Sequence, residues 1–248
     1  MAFRRILAVG DVHGDVRRLR VLWQQIAFDD AEDLLVFLGD YIDRGASSVE
    51  VLRFVRAQVE RHANVHALCG NHEAMMLGYL RTNGLDDFDP MDLWLLNGGA
   101  ETQHQLAALP REEAQALIAF VRARPLYYRV KYKKQSILFV HAGVHPKRKK
   151  QTEQDLLWIR TEFFDHYSGS ELVVVGHTPT QRIGARRDPQ RNVPLFLPNN
   201  IIACDTGSFL PGGRISCVDV ARYLDLRAEG RAHAPRELAS CYLQSAPL

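Results

Sequence analysis

Five short apolar runs along this chain each end beside a glycine and a side chain that can bind a metal ion. Each run is short enough to be one buried strand. In α/β proteins the carboxyl ends of the strands form the ligand-binding edge of the sheet. The side chains that follow the runs are Asp11 with His13, Asp40, Asn71, His141 and His177. Clustered Asp and His side chains mark metal or catalytic sites, so this layout predicts one shared site.

The order of the apolar patterns predicts an α/β architecture. Alternating strands and helices imply a parallel half-sheet with right-handed crossovers. The first predicted elements are a strand Arg4–Val9, a helix Asp15–Ala27, a strand Leu34–Leu38, a helix Ser47–Arg61 and a strand Val65–Leu68. Ser47 and Glu50 have the spacing of a capping box, which predicts that both side chains bond the first turn of the second helix.

The middle of the chain is expected to be mostly helical. The predicted helices are His72–Arg81, Ala100–Leu109 and Arg111–Arg122, with a loop-rich segment, 83–97, between the first two. Within that segment, Trp94–Gly99 is predicted either to overhang the site, because Gly98 and Gly99 permit close backbone approach, or to begin an ordinary helix.

The last third of the chain is expected to return to strands. The predicted elements are a hairpin of Tyr127–Tyr132 and Ser136–Val140, a helix Asp155–Phe164, and strands Leu172–Val175, Ile201–Cys204 and Ile215–Val220. A polar loop is expected over Arg186–Pro198. The last residues, from about Gly230, are weakly patterned and are expected to be a mobile tail of a single domain, 1–248.

Composition excludes several classes of protein. The net charge is +2, which gives no general attraction to nucleic acid or to an anionic membrane, so neither is an expected partner. No apolar run approaches the length of a membrane span, and Ile6–Val9 is too short for a signal peptide, so a cytoplasmic location is expected. Cys69, Cys204 and Cys217 lie in apolar runs, which favours buried free thiols over a zinc site.

The predicted metal-binding side chains limit which metal ions the site can hold. Oxygen and nitrogen ligands without sulfur suit Mn, Fe or Zn rather than a structural zinc site. Asp43 and Arg44 lie on the loop that leaves the second strand. An arginine beside a metal site indicates phosphate binding, because the guanidinium group can make two parallel bonds to phosphate oxygens.

Together, these motifs resemble the signature of the phosphoprotein phosphatase family, in the bacterial and phage branch of the calcineurin-like metallophosphoesterases. The resemblance covers about residues 5–220. It rests on Gly10–Gly14, Gly39–Gly45, Gly70–Glu73, His141–Gly143, Trp158–Arg160 and Gly176–Pro179. It implies a four-layer α/β/β/α sandwich of two mixed sheets.

The resemblance also implies a role for each site residue. One divalent metal ion would be bound by Asp11, His13 and Asp40, and a second by Asp40, Asn71, His141 and His177. Mn is expected, with Fe or Zn as alternatives. Arg44 and Arg160 would bind the phosphoryl oxygens, although Arg160 could instead be a surface residue of a short helix. A hydroxide bridging the metals would attack phosphorus, and His72, oriented by Asp43, would act as general acid.

The expected activity is that of a protein serine/threonine phosphatase acting on phosphomonoesters. Its expected partners are a phosphorylated protein or peptide and the product, inorganic phosphate. Pro179 stands where phosphodiesterase relatives have a further histidine, which argues for monoesters. The alternative is a nucleotide or diadenosine polyphosphate hydrolase, disfavoured by Asp43 and Glu73. A non-catalytic binder is disfavoured because every predicted metal ligand is present.

The basic segment Lys147–Lys150 is expected to be a solvated loop, with docking of acidic phosphopeptides as the alternative.

Overall fold

The computed structural model describes residues 3–85, 91–184, 188 and 190–248 of the 248-residue chain. Parts of the two predicted polar loops, 86–90, 185–187 and 189, lie outside the described residues. The strands are β1 (Arg5–Val9), β2 (Asp33–Phe37), β3 (Val65–Ala67), β4 (Tyr127–Tyr132), β5 (Gln135–Val140), β6 (Leu172–Val175), β7 (Leu195–Leu197), β8 (Ile201–Ala203), β9 (Ser216–Asp219) and β10 (Tyr242–Gln244).

The helices surround these strands. They are α1 (Val16–Ile26), α2 (Ser48–Arg61), α3 (Asn71–Thr82), α4 (Ala100–Ala107), α5 (Arg111–Arg122), α6 (Glu153–Trp158), α7 (Thr161–His166), α8 (Val220–Ala228) and α9 (Pro235–Ala239). A π-helical turn, Leu95–Gly99, precedes α4, and a 3₁₀ turn, Thr180–Arg182, follows β6. Within the described ranges, no helix is both long and apolar enough to cross a membrane.

The strands form two five-stranded mixed sheets. The first has the order β10-β9-β1-β2-β3, with β1, β2 and β3 parallel and β9 antiparallel to β1. The second has the order β4-β5-β6-β8-β7, with β5, β6 and β8 parallel and the two edge strands antiparallel. The parallel strands therefore end at a common edge within each sheet, which is the arrangement that the sequence pattern predicted.

Alternate residues of the strands separate the core into layers. One buried cluster joins Ile6, Val36 and Leu68 of the first sheet to Phe139 and Val174 of the second, so the two sheets pack face to face. The opposite face of the first sheet packs against the apolar stripes of α1, α2 and α5, and that of the second against α6 and α7. The predicted four-layer α/β/β/α sandwich is confirmed.

The ends of two early helices differ in how they are capped. The Asp15 carboxylate accepts the Arg18 backbone N–H at 2.9 Å and caps α1. At α2 the predicted capping box is wrong, since the Ser47 side chain makes no cap bond. Glu50 pairs instead with Arg53 on the same helix, and the Ser47 N–H donates to the Gly14 carbonyl at 2.9 Å.

The structure corrects the sequence prediction at three further places. The predicted helix Asp155–Phe164 is two short helices, α6 and α7, which are separated at Ile159 and Arg160. The segment expected to be a mobile tail contains α9 and β10, and β10 pairs antiparallel with β9. The sequence patterns also missed β7 and α8. All four cysteines are buried and free, as the apolar runs predicted for three of them.

Candidate active site

Asp40 lies at the centre of the edge where both sheets end. It follows β2, its side chain is buried, and histidines from three other segments approach its carboxylate. The His141 Nε2 atom lies 3.3 Å from Asp40 Oδ1, and the Nε2 atoms of His13 and His72 lie 3.7 and 4.0 Å from Oδ2. One carboxylate therefore faces two separate sets of ring nitrogens.

Two groups of side chains in the described structure could each hold a metal ion, and Asp40 belongs to both. One group is His13, Asp40 and His72, and the other is Asp40, His141 and His177. The second group contains three of the four residues predicted for the second metal. The first group has the predicted His13 and Asp40, but His72 takes the place of Asp11.

Asn71 lies between the two histidines of the second group. Its Oδ1 atom is 2.9 Å from His141 Nε2 and 2.8 Å from His177 Nδ1. The His141 Nδ1–H donates to the Leu38 carbonyl at 2.9 Å, which leaves a lone pair on Nε2. The lone pairs of Asn71 Oδ1 and His141 Nε2 face each other at 2.9 Å, and a cation bound to both atoms would stabilise this arrangement. These residues therefore fit a metal ion.

The ring of His13 is oriented in the same way. Its Nδ1–H donates to the Ile42 carbonyl at 3.0 Å and turns Nε2 toward Asp40. A backbone carbonyl that fixes the tautomer is the usual partner of a metal-binding imidazole. His13 and His141 therefore each present Nε2 to the centre of the site.

Burial sets the charge of these groups. It lowers the pKa of His13, His141 and His177, so these rings are neutral, as metal ligands must be. Burial acts in the opposite direction on Asp40, but positive charge on nearby histidines, among them His72 with its raised pKa, holds the pKa of its carboxyl well below the ordinary value. An ionised oxygen ligand among neutral nitrogen ligands suits a divalent cation of the Mn, Fe or Zn type.

Asp11 belongs to the same edge but has a different neighbour. Both of its carboxylate oxygens lie 3.1 Å from the His177 backbone N–H. Burial raises its pKa, and the nearby carboxylates of Asp205 and Asp40 raise it further. A buried carboxyl beside other carboxylates is ionised only where a cation offsets their charge, which is consistent with the predicted role of Asp11.

His72, a member of the first metal-type group, forms a buried pair with Asp43. The His72 Nδ1 atom lies 2.6 Å from Asp43 Oδ2, as the predicted acid pair requires. Burial acts to lower the pKa of His72, but the charge of Asp40 and the bond to Asp43 raise it above the ordinary value. A raised pKa keeps a proton available on this ring near neutral pH.

Arg44 and Arg160 are both solvent-exposed at the mouth of the site. The Arg44 Nη1 atom lies 2.8 Å from His13 Nε2, and its guanidinium carbon lies 4.0 Å from the centre of the Phe209 ring. Arg160 donates from Nη1 to the His177 carbonyl and to Thr178 Oγ1, both at 3.1 Å. Arg160 is therefore exposed at the start of a short helix, as the alternative reading had it, and its side chain also contacts the segment that carries His177.

The backbone at the site is held in an unusual conformation. Eight non-glycine residues in the described structure have positive φ, and five of them are predicted site residues: His13, Asp40, Asp43, Arg44 and His177. This conformation disfavours residues with a side chain, and it persists at sites where the surrounding structure imposes it. The strand-end glycines allow the close packing required. A Cβ atom on Gly70 would lie 2.3 Å from Asp40 Oδ1.

Two buried carboxylates at the site have no predicted role. Glu73 accepts backbone N–H groups from the Asp40 turn and from Gly70 at 2.8–3.3 Å. Asp205 follows β8, and one of its oxygens accepts the Gly207 N–H at 2.8 Å. Its Oδ2 atom has no hydrogen-bond partner within the described residues, and burial raises its pKa to about 6.

A sequence signal for Asp205 was present. Asp205 follows a short apolar run and precedes a glycine by two residues, which is the spacing of His141 and Gly143. Asp205 therefore adds a sixth strand end to the five that the sequence analysis recognised.

Known proteins resemble the chain over most of its length. A sequence model of the calcineurin-like phosphoesterases matches residues 4–204. Serine/threonine-protein phosphatase 1 of Salmonella typhimurium is 30% identical over 73% of this chain and 81% of its own length. The symmetrical bis(5'-nucleosyl)-tetraphosphatase of Methylococcus capsulatus is 36% identical over 59% of this chain, and that match spans 46% of the relative.

A solved structure has the same fold. A protein described as a candidate diadenosine tetraphosphatase superposes with a TM-score of 0.65 at 21% identity, covering 98% of this chain and 94% of its own. The family match and the Salmonella phosphatase agree with the metal-type cluster at the sheet edge. The chain belongs to the calcineurin-like phosphoesterase family and, within it, to the phosphoprotein phosphatase branch.

Proposed function

We propose that this protein is a metal-dependent protein serine/threonine phosphatase that hydrolyses phosphomonoesters. The observation that carries the proposal is the position of Asp40, which faces both metal-type groups beside the His72–Asp43 pair. In this proposal Asp11, His13 and Asp40 bind one ion, and Asp40, Asn71, His141 and His177 bind the other. The ions, for which Mn is the first choice, supply activation of water and neutralise phosphate charge.

The protein's own side chains would bind and protonate the substrate. Arg44 and Arg160 are exposed on two sides of the cluster, where their guanidinium groups can hold the phosphoryl oxygens as negative charge builds up on them. The doubly protonated His72 ring donates its Nε2 proton to the departing oxygen, and the bond from its Nδ1–H to Asp43 orients the ring and stabilises this imidazolium.

A protein substrate is favoured over a dinucleotide by two observations. The match to the Salmonella protein phosphatase extends over 81% of that relative, whereas the match to the tetraphosphatase extends over 46%. Asp43, which stands before Arg44 in this chain, bonds His72 directly. The resemblance stated above associates this aspartate with the phosphoprotein phosphatases.

A nucleotide or diadenosine polyphosphate hydrolase is the second candidate, because the tetraphosphatase relative is 36% identical over 59% of this chain. A substrate panel with added Mn separates the two. We expect turnover of phosphoserine and phosphothreonine peptides to exceed that of phosphotyrosine peptides and of diadenosine tetraphosphate. A higher kcat/KM for the dinucleotide would replace our proposal with the second candidate.

Replacement of His72 tests the proton-donor role. We expect His72→Asn to lower kcat by about 10²–10⁴ on an alkyl phosphate and much less on p-nitrophenyl phosphate, whose leaving group barely needs a proton. Metal content should be unchanged. His66→Asn is a matched control, since His66 stacks on Tyr128 outside the site. Equal losses on both esters would refute the role of His72 as general acid.

A further inference from the structure

The Asp43 carboxylate accepts hydrogen bonds from two other side chains besides His72. The indole Nε1–H of Trp94 donates to Asp43 Oδ2 at 2.9 Å, and the Thr102 hydroxyl donates to Oδ1 at 2.7 Å. All of these side chains are buried, and Trp94 is the largest of the fully buried side chains. Both oxygens of Asp43 are therefore held by donors from one segment, Trp94–Ala107, which lies about 50 residues further along the chain.

The same segment also fixes the backbone of Asp43. Asp43 has a φ of 71°, and its N–H lies 2.9 Å from Ser48 Oγ and 3.1 Å from Thr102 Oγ1. The hydroxyl oxygens of Ser48 and Thr102 are 2.8 Å apart. These bonds compensate a left-handed backbone that would otherwise be unfavourable for an aspartate.

Two glycines allow this segment to reach Asp43. A Cβ atom on Gly99 would lie 2.5 Å from the Trp94 indole, so the ring can fold over the backbone only at a glycine. Gly98 has a φ of 97°, and its carbonyl accepts the Arg44 N–H at 3.3 Å. The segment Trp94–Gly99 therefore contacts the site at Asp43 and Arg44, and it also leads directly into α4, as the alternative prediction of a helix start had it.

We propose that Trp94 and Thr102 are positioning residues for proton donation, which hold Asp43 so that His72 presents its Nε2 proton to the leaving group. This inference rests on the proposed phosphomonoesterase activity and adds two residues to it. Neither residue is placed to touch substrate. They act through Asp43, because a carboxylate fixed at both oxygens leaves the His72 ring one orientation.

Loss of either donor should have a specific effect. Hydrogen bonds to a charged group are stronger than those between neutral groups, and an Asp43 carboxylate that lacks one can rotate away from His72. Steps that need the His72 proton should then slow, whereas phosphate binding and metal binding should not. A role confined to packing would slow the hydrolysis of all esters equally.

The test compares phenyl phosphate, which has a poor leaving group, with p-nitrophenyl phosphate. We expect Trp94→Phe and Thr102→Val each to lower kcat about 10- to 100-fold on phenyl phosphate and by less than about threefold on p-nitrophenyl phosphate. Thr102→Ser keeps the hydroxyl and should restore the parent values. Trp23→Phe is the control, since Trp23 stacks on Phe28 and Phe37 away from Asp43.

A second readout does not depend on activity. In Zn²⁺-loaded, ¹⁵N-labelled protein, the His72 Nδ1–H bonded to Asp43 should give a downfield proton resonance. That resonance should move or broaden in Trp94→Phe and Thr102→Val but not in Thr102→Ser or Trp23→Phe. The Thr102 variants alone carry the test if Trp94→Phe does not fold.

The outcomes separate this inference from the proposed function. Equal losses on the two esters, or an unchanged His72 resonance in both variants, would overturn the positioning role of Trp94 and Thr102. A parent enzyme that hydrolyses neither ester would instead overturn the proposed phosphomonoesterase. In that case the resonance alone would decide whether the two residues hold the His72–Asp43 pair.

Discussion

Arg44 and Arg160 reach the site from different parts of the fold. Arg44 is on the loop after β2 and stacks on Phe209, whereas Arg160 is at the break between α6 and α7. Its φ of −132° and ψ of −105° are not helical, and this turn sends the side chain to the His177 carbonyl. A continuous helix would have placed Arg160 on a helical surface, so the break is what brings it to the site.

We expect Arg44→Ala and Arg160→Ala each to reduce kcat/KM about 10²–10³-fold, because each removes a charge-assisted contact that strengthens in the transition state. Lysine should restore activity only in part, since an ammonium group cannot make the planar two-point contact. Inhibition by inorganic phosphate should weaken in both alanine variants.

Arg129→Ala is the matched control, because Arg129 pairs with Glu171 on the surface of the second sheet. If inorganic phosphate inhibits Arg44→Ala and Arg160→Ala as strongly as it inhibits the parent, these two arginines do not bind the phosphoryl oxygens.

The sequence largely predicted which residues lie at the strand ends, but it did not predict their backbone conformation. The glycine-flanked Asp, Asn and His residues were recognised because residue type and spacing appear in the printed sequence. The positive φ of Asp40 and His177, and the bonds from Trp94 to Asp43, depend on contacts between distant segments. Asp205 was missed although its spacing to the following glycine repeats that of His141.

At the scale of secondary structure, Glu73 connects the end of β2 to the start of α3. Its two oxygens accept N–H groups from Asp40, Tyr41, Ile42 and Gly70. A carboxylate at the first turn of a helix is also favoured by the helix dipole. Glu73 therefore holds the turn that carries Asp40 against the helix that carries Asn71 and His72.

We expect Glu73→Gln to destabilise the fold by about 2–4 kcal/mol, because a carboxamide has one acceptor oxygen and its NH₂ group would face buried N–H donors. The midpoint of urea unfolding measures this change. Glu60→Gln is the control, since Glu60 pairs with Arg56 on an exposed helix surface, where an ion pair is worth about 1 kcal/mol or less. If Glu73→Gln is no less stable than Glu60→Gln, Glu73 does not hold the Asp40 turn against α3.

Elements with a clear apolar pattern were predicted best. The helix Arg111–Arg122 and the strand Leu172–Val175 have the bounds that the sequence predicted. The strands β7 and β10 were missed, because none of their residues is fully buried and they depend on pairing with β8 and β9. The equally short β3 and β8 are mostly buried, and they were predicted from their apolar runs. Residue Val220 was assigned to the preceding strand, although Asp219 caps α8 there by accepting the Arg222 N–H.

At the scale of the whole molecule, the site joins the two sheets. Asp11, Asp40 and Asn71 follow strands of the first sheet, and His141 and His177 follow strands of the second. Direct contacts cross this boundary, such as Asp11 with the His177 N–H and Asn71 with both histidines. Ions bound by these ligands would therefore link the two halves of the sandwich.

Removal of the shared ligand should affect both ions and the stability of the fold. We expect the parent to bind two ions per chain, Asp11→Ala to lose chiefly one, and Asp40→Ala to lose both, because one carboxylate serves two cations. An ion present at about 100 times its Kd adds about 2.7 kcal/mol to stability. Chelation should then lower the parent's Tm by roughly 10–20 °C and leave that of Asp40→Ala nearly unchanged.

Elemental analysis and thermal unfolding with and without a chelator measure these effects. Asp33→Asn is the control, since Asp33 pairs with Arg5 at the opposite end of β2 and should keep both ions. Two full equivalents of metal in Asp40→Ala would refute a shared carboxylate. A parent Tm that does not respond to the chelator would show that the sheets are held together by their apolar interface alone, formed by residues such as Val36 and Phe139.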